Sequence, residues 1–376
     1  MALLQNLLEK LMQKYDFLIV GAGLFGATFA NIAKSKGKKC LVIDKRKHIG
    51  GNCYTENKEG IQIHRYGAHI FHTNNKEVWN YINKFAEFNN YINQPIAIVR
   101  DKTYNLPFNM NLFSKVFDVT TPEQAKEKIN NEILEYKDLI PNNLEEQAIK
   151  MVGKTIYEMF IKGYTQKQWG KDCKNLPVDT IKRLPLRFTY DNNYFDDLYQ
   201  GIPKLGYTQM IDNMLSKIDV RLNTSYLHSE IQSDKVIYTG QIDEFFEYKL
   251  GALEYRTLNF EDKWFDSTNY QGNAVINYPT LEKLYTRTIE HRHFNRDTMS
   301  DKTVISYEYS NTFIPSLGLT PYYPIGNKEN IDLYNKYKKL SKDFPNVHFA
   351  GRLGEYKYYD MDDTIESAIE LTNKII

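Results

Sequence analysis

Gly21, Gly23 and Gly26 lie between an apolar run and a helical one in the spacing Gly-X-Gly-X-X-Gly, with Leu24 and Phe25 between the last two. The chemistry open to such a loop is the cradling of a pyrophosphate. The first glycine permits a tight turn, the second lets backbone N–H groups approach the phosphates, and the third lets the helix pack closely on the strand. The helix N-terminus then faces the anion with its partial positive charge. Asp44 closes the next apolar run, at the distance where a carboxylate accepts hydrogen bonds from a ribose.

These residues need a strand over residues 17–20, a helix after Gly26 and a second strand ending at Asp44, which together form a βαβ unit. Lys45, Arg46, Lys47 and His48 follow the acid, and then Gly50, Gly51 and Asn52. A basic cluster with a second glycine pair resembles the extended FAD signature of amine-oxidase-like flavoproteins, in which the chain passes close to the cofactor a second time. An NAD enzyme has no need of it. Near the other end, residues 347–352 form an apolar run entering a glycine turn with Gly351 and Arg352, and Tyr359, Asp360 and Met361 open a helical segment. That helix N-terminus suits the anionic edge of a reduced flavin. The two ends of the chain are expected to meet on one cofactor, and the segment KVIYTGQID returns to the same sheet through a turn at Thr239 and Gly240.

The 376 residues are enough for two or three domains with sizeable cores. A formal net charge of +1 argues against a broad nucleic-acid or anionic-membrane surface. No apolar run approaches the roughly 20 residues of a membrane span. Cys40, Cys53 and Cys173 form no CxxC pair, so neither a disulfide scaffold nor a thiolate metal site is expected. The expected compartment is the cytoplasm. Residues 1–14 carry apolar positions at helical spacing without a cleavage site and read as an amphipathic extension.

Residues 61–73 and 92–104 alternate as strands do, whereas residues 121–161 have helical periodicity and start with Thr121 and Pro122, a good cap and first position. Residues 163–187 hold Gly163, Gly170, Pro177 and Pro185 with little periodicity and read as a long functional loop carrying an exposed Trp169. The expected fold is mixed α/β: a Rossmann-like FAD-binding domain, a helical domain and an antiparallel sheet domain. Residues 15–90 with 205–250 and 340–376 are expected in the first, 110–165 with the mobile loop 163–187 in the second, and 91–109 with 188–204 and 251–339 in the third.

The segments HIGGNCYT, RYGAHIFHTN, YNLPFNMN, KGYTQKQWG, RFTYDNNYF, YQGIP, GALEYRTL, GNAVINY, YTRTIEHRHF, PYYPI and GRLGEYKYYDM follow the glycine motif in order to the C-terminus. As a collinear set they resemble the bacterial UDP-galactopyranose mutases. The resemblance implies interconversion of UDP-galactopyranose and UDP-galactofuranose on reduced FAD without net redox change, flavin N5 attacking the anomeric carbon as UDP departs. It also implies a homodimer and a role in surface glycan synthesis.

Carried over motif by motif, the resemblance makes Arg183 and Arg287 the diphosphate-binding arginines, since two guanidiniums offer forked, charge-assisted contacts to a departing UDP. Trp169 matches a tryptophan of a mobile substrate loop, for which Gly163 and Gly170 offer flexibility. Phe160 and Tyr164 match uracil contacts; Tyr194, Tyr323 and Tyr358 match diphosphate contacts; Asp360 matches an acid near the substrate. His69 and His72 map beside the isoalloxazine and the sugar, and Arg352 beside the flavin. The cofactor set is completed by Gly21, Gly23, Leu24, Phe25, Gly26, Asp44, Lys45, Arg46, Gly51, Asn52, Gly351, Tyr359, Asp360 and Met361. No metal is expected. Asp44 stands where many relatives carry glutamate, and Cys53 where a small alanine is common. Two other readings stay open: a flavin oxidoreductase of the amine-oxidase type, and a flavin-free binding protein on the same fold. Whether UDP-N-acetylgalactosamine is also a substrate stays open too.

Overall fold

The computed structural model describes residues 15–181, 185–228 and 231–376; the expected extension over residues 1–14 lies outside them. The apolar runs at Tyr15–Val20 and Cys40–Ile43 become neighbouring parallel strands. Asp219–Arg221, Ser233–Tyr238 and Val347–Phe349 complete a five-stranded parallel sheet. Numbered by chain order, its strands lie 3-2-1-4-5 in space. Every residue of Cys40–Ile43 is buried, as expected of a central strand in a sheet covered on both faces.

The helix Leu24–Ser35 packs against both this sheet and the C-terminal helix Met361–Ile375. The strand order reverses between Tyr15–Val20 and Ser233–Tyr238, where doubly wound sheets open a crevice for ligands. Gly21, at φ 111°, and Thr239 meet at that point, and a Cβ on Gly21 would overlap the Thr239 hydroxyl.

A second, seven-stranded sheet follows the order Tyr323–Pro324, Tyr255–Phe265, Thr303–Thr312, Arg287–Glu290, Val275–Asn277, Ile96–Val99, Lys102–Asn105. It is antiparallel except where Val275–Asn277 runs parallel to Ile96–Val99; 175 residues lie between those two strands, so no hairpin constrains their direction. Tyr199–Gly201 does not join this sheet and pairs with Phe71–Thr73 instead.

The helices Pro122–Ile133 and Leu144–Val152 have their own apolar core. Thr121 and Gln124 form a reciprocal capping box around Pro122, and Asn143 caps the next helix, each cap contributing about 1 kcal/mol. One finding corrects the sequence reading. Residues 162–169 are a helix, Lys162–Trp169, continuing from a π-helical turn at Tyr157–Ile161. Gly163 is there because the Pro279 carbonyl approaches so closely that a Cβ would overlap it, and Gly170 ends the helix in the left-handed conformation at φ 67°. Neither glycine serves as a free hinge in this arrangement. Trp169 is half-buried against the helical core instead of exposed.

Candidate active site

A first cavity opens at the switch point of the parallel sheet. Gly21, Gly23, Leu24, Phe25 and Gly26 form its floor, Gly51 and Asn52 come in from the second glycine pair, and Gly351 and Met361 from the C-terminal segment. Gly23 and Gly51 are in backbone contact, so close that a Cβ on Gly51 would sit 2.9 Å from the Gly23 Cα. Asp44 is 8% exposed at the edge of this cavity, and its carboxylate accepts from the backbone N–H groups of Ala22 and Arg46, both at 2.8 Å. Lys45 lines the rim and pairs with Glu244 at 2.8 Å. The Arg46 guanidinium lies over the Tyr66 ring and donates Nη2 to Asn52 Oδ1 at 2.9 Å, while its buried Nη1 has no partner among the described residues. A buried guanidinium nitrogen of this kind suits an anionic ligand.

The second cavity lies between the seven-stranded sheet, the π-helical turn and the strand Phe71–Thr73. Asn52, His69, Arg352 and Met361 line both cavities. Burial pushes the pKa of His69 down to about 4, so its ring is neutral near pH 7. The 2.7 Å contact of its Nδ1 with the Gly67 carbonyl makes Nδ1 the protonated nitrogen and leaves Nε2 as an acceptor. Arg352 donates to the carbonyls of Tyr322 and Tyr359 and lies beneath the rings of Tyr323 and Tyr358.

Arg287 enters this cavity from the sheet. Its Nε donates at 2.7 Å to Glu308, which is fully buried on the adjacent strand and directly opposite in register. Burial opposes the Arg287 charge, but Glu308 with Tyr164 and Tyr323 more than offsets this and raises the pKa well above its ordinary value. The terminal nitrogens have no partner among the described residues and are available to an anion. Burial raises the pKa values of Tyr164 and Tyr323 as well, so both stay phenols and can donate O–H. Tyr194 and Tyr358, 42% and 61% exposed, form the rim.

His72 lines the second cavity alone. Its Nδ1 donates to Asp197 at 2.8 Å and its ring stacks on Phe195. Asp360 also lines only this cavity, while capping the C-terminal helix reciprocally with Asp363. Phe160 and Tyr164 reach it from the π-helical turn and the helix that follows.

The structure thus gathers most of the residues singled out in the sequence into two joined cavities. Trp169 and Tyr359 line neither, the Tyr359 hydroxyl turning to Glu355 at 2.9 Å. Arg183 lies outside the described residues. Sequence reasoning missed Glu308, Tyr66, Tyr322, Asn93 and Asn277. The last two carry buried, unpartnered Oδ1 atoms on the second cavity's wall, ready to accept from ligand hydroxyl or N–H groups. Asn277 and Tyr322 fall inside the motifs GNAVINY and PYYPI, which was the one signal available for them. All three cysteines are buried and free, and burial pushes the Cys53 thiol up to about 11.

A family model described as UDP-galactopyranose mutase matches residues 159–358, and one described as an NAD(P)-binding Rossmann-like domain matches residues 19–85. A Klebsiella pneumoniae protein named probable UDP-galactopyranose mutase is 40% identical over 97% of this chain and 96% of its own length. An Escherichia coli dTDP-fucopyranose mutase is 38% identical over 94% of this chain and 96% of its own. Among solved structures, a reduced UDP-galactopyranose mutase superposes with a TM-score of 0.77 at 16% identity, over 97% of this chain and 94% of that one. An Exiguobacterium protein described as a putative protoporphyrinogen oxidase reaches 0.67 at 13% identity over 97% of this chain and 98% of that one, a likeness of fold.

Proposed function

Because the chain belongs to the UDP-galactopyranose mutase family, we propose that it interconverts UDP-galactopyranose and UDP-galactofuranose, with FAD in the first cavity and the nucleotide-sugar in the second. The observation that carries this reading is the junction itself. Four residues, Asn52, His69, Arg352 and Met361, line both cavities, so a dinucleotide and a second ligand meet across them. The first cavity fits FAD in its chemistry: a glycine cradle for the pyrophosphate, a carboxylate at the ribose distance, and an unpartnered buried guanidinium nitrogen on Arg46. When bound and reduced, this cofactor supplies the nucleophile that trades places with UDP at the anomeric carbon, leaving no net oxidation.

The protein's own residues do the rest by position and charge. Arg287, held at Nε by Glu308, turns its terminal nitrogens to the diphosphate and retains UDP after it leaves the sugar. The phenols of Tyr164 and Tyr323 donate to the same group, and Arg352 adds positive charge where the two cavities join. Phe160 and Tyr164 offer aromatic faces to the base. His72, fixed by Asp197, and the free amide oxygens of Asn93 and Asn277 orient the sugar. The aromatic walls formed by Phe160, Tyr164, Tyr322 and Tyr323 limit the access of water that would hydrolyse a displaced sugar.

The 38% identity to a dTDP-fucopyranose mutase supports a second reading, in which the nucleotide is dTDP and the sugar a 6-deoxyhexose. One experiment separates the two. Purified holoenzyme is incubated with UDP-galactofuranose or with dTDP-fucopyranose, with and without dithionite, and the products are separated by chromatography. Conversion of the uridine substrate only when the flavin is reduced, with no net consumption of reductant, is the expected result. Exclusive conversion of the dTDP sugar would overturn the primary reading in favour of the second.

A further inference from the structure

Lys167 has no role in the scheme above, yet its ammonium sits in an unusual place. Its neighbours Lys162 and Lys171 pair with Glu158 and Glu254. Lys167 has no carboxylate partner among the described residues and donates instead to four backbone carbonyls: those of Tyr278, of Thr280 at 2.8 Å, of Lys283 at 3.0 Å and of Tyr285 at 2.9 Å. Burial pulls its pKa down to about 8, which leaves it an ammonium at neutral pH. Three N–H donors shared among four carbonyls replace the hydration of the cation, so the loop over residues 278–285 curls around the charge.

At its base Tyr278 and Thr286 make one ladder bond and the Tyr285 ring packs on those of Tyr278, Tyr307 and Tyr309, while Leu281 and Leu284 near its tip are 61% and 80% exposed. On the other side, the helix Lys162–Trp169 is gripped by a second buried cation. Arg256, 3% exposed on the strand Tyr255–Phe265, donates Nε to the Gln168 carbonyl at 2.7 Å and Nη2 to that of Lys167 at 3.3 Å. A continuous mechanical path therefore runs from the large sheet through Arg256 to the helix, and through Lys167 to the loop. The strands that the loop joins place Asn277 opposite Arg287, and both line the second cavity together with Pro279.

We propose that Lys167 is a positioning residue for the nucleotide-sugar: without touching it, the ammonium gathers residues 278–285 into the cavity wall and holds Asn277, Pro279 and Arg287 where they bind it. This rests on the assignment of the second cavity to the UDP-sugar.

Lys167→Met keeps the aliphatic stem and removes the charge. Displacing binding groups by an ångström or so carries penalties of roughly 10- to 100-fold, and that range is expected for UDP affinity of the oxidised holoenzyme and for KM with UDP-galactofuranose. The variant should retain its flavin, and kcat should stay within about threefold, since binding is lost alike from ground and transition states. Hydrogen exchange should accelerate in residues 278–286 and not in residues 15–58. Lys167→Ala should recover UDP affinity when n-propylammonium, which replaces the missing stem and charge, is added, and should not recover it with n-propanol. Gly163→Ala, which pushes the Pro279 carbonyl away with the charge intact, should reproduce the rise in KM. Unchanged UDP affinity in Lys167→Met, or loss of flavin from it, would overturn the proposal, the latter by assigning Lys167 to the fold as a whole. If the unaltered protein neither binds UDP nor converts the sugar, the functional reading fails, and the exchange comparison still decides whether Lys167 organises the loop.

Discussion

Replacing Arg287 with lysine isolates what its guanidinium contributes to the second cavity. Glu308 is fully buried and holds Arg287 Nε at 2.7 Å. Removing its only cationic partner among the described residues, as in Arg287→Ala, would strand a buried carboxylate at a cost of about 3–5 kcal/mol and confound activity with folding. A lysine keeps a cation beside Glu308, so the fold is expected to survive. The ammonium, however, is a single point of charge, and the buried carboxylate claims it. The forked contact to the diphosphate is lost, which amounts to two charge-assisted hydrogen bonds worth about 1.5–3 kcal/mol each in full. With the Arg287 side chain 23% exposed, solvent recovers part of that, and about 3 kcal/mol remains. At 1.4 kcal/mol per tenfold, kcat/KM should fall roughly 100-fold. The assay is conversion of UDP-galactofuranose by dithionite-reduced enzyme, alongside flavin content and a thermal melt. A fall of less than about fivefold in a folded, yellow variant would falsify the assignment of Arg287 to the diphosphate. A colourless variant would refute the separation of the two cavities.

Two further perturbations read other parts of the molecule. Gly21→Ala places a methyl group into the Thr239 hydroxyl at a φ of 111°, so the purified variant should carry little flavin absorbance; a fully yellow Gly21→Ala would contradict the placement of the cofactor. Acid should destabilise the protein steeply. Burial lowers the pKa of His64, lowers that of His69 to about 4 and that of His291 to about 3. Their stabilising contribution is complete above the unfolded value near 6.5 and is lost as pH falls. Asp243, raised by burial to about 6, acts with the opposite sign and cancels about one proton. Near pH 5 these four groups give the unfolded chain about two more bound protons, a slope of about 2.7 kcal/mol per pH unit from them alone. Urea midpoints at pH 7 and pH 5 measure this, and equal midpoints would refute it.

The dinucleotide half of the site was legible because its determinants are local. Gly21, Gly23, Gly26 and Asp44 lie within one βαβ unit, where Gly26 packs on the Gly21 carbonyl and the Asp44 carboxylate takes the Ala22 N–H, although the crowding at Gly21 itself comes from the distant Thr239. The capping box at Thr121 and Gln124 was visible in part for the same reason, a cap being a relation between residues three apart. Residues 162–169 misled because glycine has two meanings. Gly163 and Gly170 read as flexibility, while the structure uses one for the Pro279 carbonyl and the other as a left-handed helix end. Only the first of these demands comes from far along the chain. Glu308 was out of reach for a related reason. Its pairing with Arg287 is a strand register, and register across 21 residues is set by the whole sheet. Tyr66 and Tyr322 are two of 29 tyrosines; both fall inside the collinear segments, RYGAHIFHTN and PYYPI, but nothing local in those segments marks which tyrosine faces a cavity.

The distribution of charge explains why these distant determinants matter more for the second cavity than for the first. Backbone N–H groups and glycines build the first, and a helix N-terminus needs no partner from elsewhere to attract phosphate. The second relies on side-chain cations held by groups elsewhere in the chain: Arg287 by Glu308 and Arg352 by the carbonyl of Tyr322 together with that of Tyr359, nearer in sequence, while Lys167 gathers the loop that bears Pro279. Arg352 and Lys167 use carbonyl oxygens where a carboxylate would have neutralised them, and only Arg287 has a buried acid. Each cation is therefore fixed in direction, and Arg352, with no carboxylate partner among the described residues, keeps its charge for an anionic ligand. A site whose group leaves and returns needs that combination: charge enough to hold a free diphosphate, and geometry rigid enough to return it to the same carbon.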